Sequence, residues 1–391
     1  MIRILVPFLL LFASLCSLSY ADDHRCLWVT RWDYQSPRDI HRIMDNAKKL
    51  GANEVLFQIR GHGTVFYPSS IEPWSGEFTD EPHRHVGKNP GWDPLKTAIQ
   101  EARKHNLNIH AWMNVFPGWR GKYAPPKSSQ QLWNTHRSWF IVDHRGSLLY
   151  PRTNSYSFLS PGIPAVRKYL ASVFGEVAQK YPDLTGIHMD YVRYPVRSEY
   201  GRFRDFSHDK TSIKLYKNKY KKEPHYSHPE WHAFKQDNVT ATIKGIRHAI
   251  QDASPTMQLS GTFMAEIHRA TEEAGQNPVA WIENNLVDWV VPMVYKRSPI
   301  QFRETINELQ HFLKPEWSNK IVWGINVDFN SREVIRQQLR IADEKENGGE
   351  ALFAYATVFP NHSANHKMKT IQSHWQEQIL QNLLQLNQNR P

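Results

Sequence analysis

The chain has 391 residues, with 48 lysines and arginines against 38 acidic residues, and only two cysteines. A chain of this length buries a large core, in one elaborate domain or two, and the formal charge of +10 favours an anionic polymer or surface as partner. Met1 to Arg3 lead into the apolar run Ile4 to Leu15, and Ser19-Tyr20-Ala21 supplies a small-x-small cleavage site, so residues 1–21 read as a signal peptide. The run is too short to anchor the chain across a bilayer, and Leu15 stands where lipidation of Cys16 would want a small residue. The expectation is a soluble protein delivered to the periplasm or secreted. Cleavage would leave Cys26 as the only cysteine, which excludes an intramolecular disulfide and a cysteine-based metal cage. No later apolar stretch reaches membrane length, so stable membrane insertion is not expected.

From residue 22 onward the pattern is a strand followed by a helix. Leu27 to Trp32 is the first strand; Ser36-Pro37-Arg38-Asp39 then supplies a cap, a proline at the first helical position and an acidic third residue. Ile40, Ile43, Met44, Ala47 and Leu50 follow at helical spacing and Gly51 ends the element. Glu54 to Arg60 is the second strand, and after a long loop Asp93 caps a helix carrying Leu95, Ala98, Ile99 and Ala102. The third strand is Leu107 to Asn114, the next helix starts near Ser160-Pro161, and the fourth strand starts at Gly186. Four further apolar runs, Met257 to Met264, Val287 to Tyr295, Lys320 to Val327 and Glu350 to Thr357, each have a plausible helix after them. Eight strands alternating with helices predict a (β/α)8 TIM barrel as a single domain over 22–391, with a C-terminal helix from about 366. An open doubly wound sheet is disfavoured because no Gly-x-Gly-x-x-Gly follows any strand. The stretches 61–91, 115–159 and 192–230 become long loops after strands 2, 3 and 4, which wall a cleft at the carboxyl rim.

Alternation in Gly186-Ile-His-Met-Asp-Tyr-Val-Arg-Tyr-Pro195 puts His188 and Asp190 on one face of the fourth strand. A carboxylate at the carboxyl end of a barrel strand, set among aromatics, suits glycoside hydrolysis, which needs one group to protonate the leaving oxygen and one to attack or activate water. Asp190 is the candidate nucleophile or base. Glu266, just past the fifth strand, is the candidate acid, with Asp33 and Glu72 in reserve as acid or sugar-hydroxyl acceptor. Asp33, Arg60, Trp112, Asn114, Tyr191, Arg193 and Tyr295 are expected to bind substrate, since rings match the apolar faces of pyranoses and polar strand-end groups their hydroxyls. Trp32, Trp119 and Tyr194 extend the aromatic set. The histidines His62, His83, His85 and His110 form no ligand motif, and there is no His-Glu-x-x-His, Gly-x-Ser-x-Gly or phosphate loop, so neither a metal nor another cofactor is expected.

Arg25 to Asp33, Val55 to Gly61, Phe66-Tyr-Pro-Ser69 with Glu72-Pro-Trp-Ser75, Gly91-Trp-Asp-Pro94, His110 to Asn114 and Gly186 to Pro195 together resemble the bacterial glycosyl-hydrolase-like family ten, formerly domain of unknown function 187. The resemblance runs from about Arg25 to about Phe359. It implies a barrel distantly similar to the α-amylase group, with Asp190 at the nucleophile position. It also implies, for one kind of member, hydrolysis of peptidoglycan glycan strands stripped of their stem peptides in a Gram-negative envelope. Gly261-Thr-Phe-Met-Ala-Glu266 and Met293-Val-Tyr-Lys296 depart from the usual pattern, in the acid's neighbourhood and the substrate floor. The expected partner is therefore a glycan polymer, rather than a nucleic acid, whose lactyl carboxylates meet Arg60, Arg193 and Lys296. A glycan-binding barrel without turnover and a hydrolase of another polysaccharide are the alternatives.

Overall fold

Strands whose two faces are both apolar need cover on both sides, which a parallel sheet obtains from helices outside and closure on itself inside. The computed structural model describes residues 23–364 apart from 122, 128, 151–154, 201–203, 329 and 346–347. The predicted signal peptide, Cys16 and the helix expected from about 366 lie outside the described residues. Eight parallel strands form a closed barrel: β1 (His24–Val29), β2 (Glu54–Arg60), β3 (Asn108–Asn114), β4 (Gly186–Asp190), β5 (Gln258–Met264), β6 (Trp289–Met293), β7 (Val322–Asn326) and β8 (Gly349–Phe353). β8 pairs back onto β1, with His24 opposite Gly349, so the sheet has no open edge. The helices after the strands are α1 (Pro37–Leu50), α2 (Pro94–Lys104), α3 (Pro164–Lys180), α4 (Pro229–Ala253), α5 (Pro278–Glu283), α6 (Pro299–Phe312), α7 (Arg332–Asp343) and α8 (Tyr355–Val358). The first six begin on proline, whose missing N–H would find no partner in a first helical turn. Ser36 and Asp93 cap α1 and α2 as their positions predict, and Gly51 ends α1 at φ 86°.

Side-chain alternation divides the strands between two cores. Val55, Phe57 and Ile59 of β2 and Ile187 and Met189 of β4 face outward into one apolar cluster with Ile40, Ile43 and Met44 of α1 and Leu170 and Val173 of α3. Trp28, Leu56, Trp112, Trp289, Val291 and Val322 fill the barrel. His188 lies among them: the Trp28 indole, which can only donate, reaches its Nε2 at 3.2 Å, so Nδ1 carries the proton toward Ser260 Oγ at 2.9 Å. Burial lowers the His188 pKa to about 3, in keeping with this neutral ring. At Gly186 an added Cβ would lie 2.6 Å from His110 Nδ1 and 2.7 Å from the Gln258 carbonyl, so only glycine lets β4 enter between its neighbours.

Four strands end earlier than their composition suggests: the sixth stops at Met293 and the seventh at Asn326, short of Tyr295 and Val327, and the first and last stop shorter still. The first, read as far as Trp32, stops at Val29 because the Asp33 carboxylate accepts from the Thr30 N–H at 2.7 Å and the Thr30 hydroxyl at 2.8 Å, folding 30–33 into a turn. The last, read through Thr357, stops at Phe353 and gives way to α8. The helix read from Ser160-Pro161 starts at Pro164. The loop after β3 holds a two-stranded antiparallel ribbon, Pro117–Arg120 with Tyr156–Phe158, and the loop after β4 holds two helices, Arg197–Tyr200 and Lys210–Tyr220.

Asp33 and Arg60, expected to contact substrate, are buried and bound to other residues of the chain. Asp33 is fully buried, and its other oxygen accepts from Ser363 at 2.6 Å, tying the segment after α8 to the turn after β1. Arg60 is also fully buried: it grips both oxygens of Glu72 at 2.8 and 2.6 Å and donates to the carbonyls of Asn114 and, at 3.1 Å, Val115. Tyr169 donates to the same carboxylate at 3.0 Å, so Glu72 is not a spare catalytic acid.

Two stability predictions follow from these buried charges. Arg60→Met alone strands the Glu72 carboxylate and should lower unfolding free energy by about 3–5 kcal/mol, whereas Arg60→Met with Glu72→Leu should recover most of it. Denaturant titration giving the double variant the same loss as the single one would refute the pairing account. Burial, outweighing the hydrogen bonds from Ser363 and Thr30, raises the Asp33 pKa to about 6. The folded state then holds a proton that the unfolded state releases near pH 4. Stability should therefore fall as pH rises from about 4 to 6, by on the order of 3 kcal/mol from this group. Asp33→Asn keeps the hydrogen bonds, and subtracting its pH–stability curve from that of the unaltered protein should reveal this decline; parallel curves would refute it.

Candidate active site

The carboxyl ends of the strands open into a cleft of about 440 Å³ walled by the loops after β3 and β4. Asp190 closes β4 at its floor, opposite Asn114 in the β3 pairing. Both of its short hydrogen bonds fall on Oδ1, from the Tyr191 N–H at 2.6 Å and the Thr262 hydroxyl at 2.8 Å. Oδ2 takes neither of these bonds, and the Trp112 indole also acts on the carboxylate. Tyr191 itself takes φ 48°, a left-handed conformation uncommon for a bulky residue. Burial raises the Asp190 pKa above the ordinary carboxylate value, although Thr262, Tyr191 and Arg193 all favour its ionised form.

Trp112, Asn114, Tyr191, Arg193 and Tyr295 line the same cleft as Asp190 and Glu266, as their strand-end positions predict. Their freedom differs. The Asn114 carbonyl oxygen accepts from Trp112 at 3.1 Å and Gln58 at 3.3 Å, and its amide donates to the Gly61 carbonyl at 3.0 Å, so it sets the floor's shape. Arg193 is paired with Glu199 at 2.7 Å beneath the Tyr191 ring. Trp32 joins the lining with Arg31 stacked 3.9 Å from its ring centre, whereas Trp119 and Tyr194 are buried in the outer core.

Glu266 sits in the loop after β5 with Oε1 2.5 Å from Lys296 Nζ and Oε2 3.8 Å from Arg269. Partial burial works to raise its pKa, but the Lys296 ammonium outweighs this and holds it below the usual value. A proton donor needs the opposite environment, so Glu266 becomes an acid only when Lys296 is drawn away.

Arg31, Gln58, Tyr156, Glu199, Arg269, Met293 and Phe353 also line the cleft and were not singled out from the sequence. Gln58 shares its strand face with Leu56, so alternation carried a signal for it. Arg31 closes the first strand run, and its guanidinium reaches Glu77 at 2.7 Å, Gln58 at 3.1 Å and Tyr156 at 3.2 Å. Tyr156 and Glu199 come from long loops, where no periodicity assigns a direction. Among the described residues one trio has donor atoms within 4.8 Å of one another, His24, Cys26 and Glu54, at the opposite end of the barrel. Glu54 is already engaged there by His24 at 2.8 Å and His110 at 3.1 Å.

The chain is 27% identical over 276 residues to glycosyl hydrolase DigH of Escherichia coli K12, covering 64% of this chain and 56% of that protein. It is 28% identical over 270 residues to glycosyl hydrolase YngK of Bacillus subtilis strain 168, covering 65% and 48%. The chain thus spans about half the length of the curated relatives it matches. The fold resembles the catalytic domain of β-amylase from Paenibacillus polymyxa, with TM-score 0.61 at 10% identity over 95% of this chain and all of that one (100%). It also resembles the β-galactosidase of Marinomonas ef1, with TM-score 0.61 at 12% identity over 93% of this chain and 58% of that one. At such identities the structural likeness speaks for the barrel alone. The family model glycosyl hydrolase-like 10 matches residues 23–334, from the first barrel strand into α7, and the chain belongs to that family.

Proposed function

We propose that the protein is an exported glycoside hydrolase that cuts within peptide-free peptidoglycan strands. The observation that carries the hydrolase reading is Asp190: one oxygen is anchored by Tyr191 and Thr262, and the carboxylate stands at the floor of an aromatic-lined cleft. In this reading Asp190 Oδ2 attacks the anomeric carbon or takes a proton from the attacking water. Glu266 gives a proton to the leaving oxygen, and water's elements end on the two new chain ends. A strand carrying free lactyl carboxylates supplies an anion that competes with Glu266 for Lys296, freeing the acid as substrate binds. The substrate and export assignments draw on the family resemblance, the basic composition and the apolar amino-terminal run. A barrel that binds glycan without turnover has the Lys296–Glu266 ion pair in its favour, since that pair holds the candidate acid ionised.

Asp190→Asn should reduce release of new reducing ends on the order of 10³-fold or more. Because the ionised carboxylate is held against burial at neutral pH, the same variant should melt no lower than the unaltered protein. Near-normal turnover removes Asp190 from the mechanism, and product from neither protein on a polysaccharide panel supports the binding-only barrel.

The acid is tested by a pair of variants. Glu266→Gln should keep most activity on an aryl glycoside with a good leaving group and lose it on the polymer. Lys296→Met removes the cation that holds Glu266 ionised, so the alkaline limb of the polymer pH–rate profile should move to higher pH. An unmoved limb, or equal loss on both substrates, assigns Glu266 a structural role.

A further inference from the structure

The excess of basic residues is not concentrated in the cleft. Arg31, Arg193 and Lys296 each face a carboxylate there, respectively Glu77, Glu199 and Glu266. A second cavity, also of about 440 Å³, lies between the loops after β3 and β4. Arg145, Arg197 and Arg204 line it together with His144, His225 and Tyr226. Of the three guanidiniums only Arg204 has a carboxylate partner among the described residues, Asp143 at 2.8 Å. Arg145 and Arg197 meet acids through their backbone N–H groups, at 3.0 Å from Asp143 and 3.2 Å from Glu273, and among the described residues neither guanidinium has a carboxylate within ion-pair distance. Asp205, the one carboxylate in the wall among the described residues, is taken by His208 at 2.7 Å and the Trp231 indole at 2.9 Å.

The cavity is framed rather than incidental. Asp143 bridges Phe206, the His144 N–H donates to the Asp205 carbonyl at 2.9 Å, and the His208 N–H to the Val142 carbonyl at 3.0 Å, so the two loops are stitched together along one side. Tyr226 is 49% exposed, with the Arg197 guanidinium 5.1 Å from its ring centre and the His225 ring at 4.4 Å. An exposed ring beside unpaired guanidiniums matches a sugar that presents an apolar C–H face and a carboxylate. The segment 193–200 contributes to both this cavity and the cleft. Within it Arg193 and Glu199 line the cleft, while Arg197 lines the second cavity.

We propose that this second cavity is a remote subsite, binding a carboxylate-bearing sugar of the same glycan strand whose scissile bond lies over Asp190. The assignment rests on the glycan-hydrolase reading for the identity of the strand, and on the unpaired Arg145 and Arg197 for its chemistry.

The test uses the full chain with Asp190→Asn, so that strands persist, and measures binding by titration calorimetry. The ligands are long peptide-free peptidoglycan strands, the same strands after carboxyl reduction, and inorganic phosphate. Adding Arg145→Gln and Arg197→Gln together should weaken binding of the carboxylated strands about tenfold, the worth of two part-exposed charge contacts. Carboxyl-reduced strands should bind both forms equally weakly, and Tyr226→Ala should weaken the carboxylated strands further. Equal binding of carboxylated strands by the parent and the arginine double variant overturns the proposal. So does phosphate binding that is lost with the arginines while strand binding is not, which would leave only a small-anion site. Turnover by the unaltered protein is scored separately: arginine-dependent binding without any hydrolysis sinks the hydrolase reading and leaves the subsite standing.

Discussion

The buried pair Arg60–Glu72 is the contact on which the working end of the barrel depends. A guanidinium with no exposure must have its charge and donors satisfied, and Arg60 does so by holding the loop after β2 through Glu72 and the end of β3 through two backbone carbonyls. The Val115 N–H in turn donates to the Asp190 carbonyl at 2.8 Å, and Asn114 pairs with Asp190 in the sheet. The candidate nucleophile therefore stands on a strand end whose neighbour is clamped by a buried ion pair. A group held in this way keeps its orientation without help from substrate, which is what preorganised catalysis needs.

Charge in the cleft is arranged as local pairs, not as a field of one sign. Asp190 is set apart because its partners are hydrogen-bond donors, Thr262 and the Tyr191 N–H, and burial raises its pKa; Glu266 has a direct ammonium partner and its pKa falls. Two carboxyl groups with environments that diverge so clearly are a common mark of acid–base chemistry. Their resting states are the reverse of the roles expected for them, and Lys296 is the group that holds Glu266 ionised. The overall basic composition finds its unpaired expression in the second cavity, around Arg145 and Arg197.

Much of the fold was legible in the residues. Apolar and aromatic runs identified the barrel strands, and prolines and caps marked α1 and α2. Asp190 was recognisable as a strand-end carboxylate because alternation and the following Tyr-Val-Arg-Tyr-Pro run both place it there. The two most misjudged strand ends have a shared cause: Thr30 to Trp32 and Ala354 to Thr357 are as apolar and aromatic as the strands they follow, so composition alone does not stop them. At the first, the Asp33 side chain folds the turn; at the second, α8 takes over.

Local backbone geometry repeats every two residues in a strand and every 3.6 in a helix, so the sequence by itself determined the strand–helix alternation, the barrel class and the face on which Asp190 lies. Tertiary structure alone decided which charged groups meet. Arg60 finds Glu72, Glu266 finds Lys296, Asp33 finds Ser363, and Tyr156 reaches across to Arg31. These partners lie at no fixed spacing in the chain. Whether a strand-end charge is free for a ligand or already neutralised depends on distances of a few ångströms between residues that only the closed barrel and its long loops bring together.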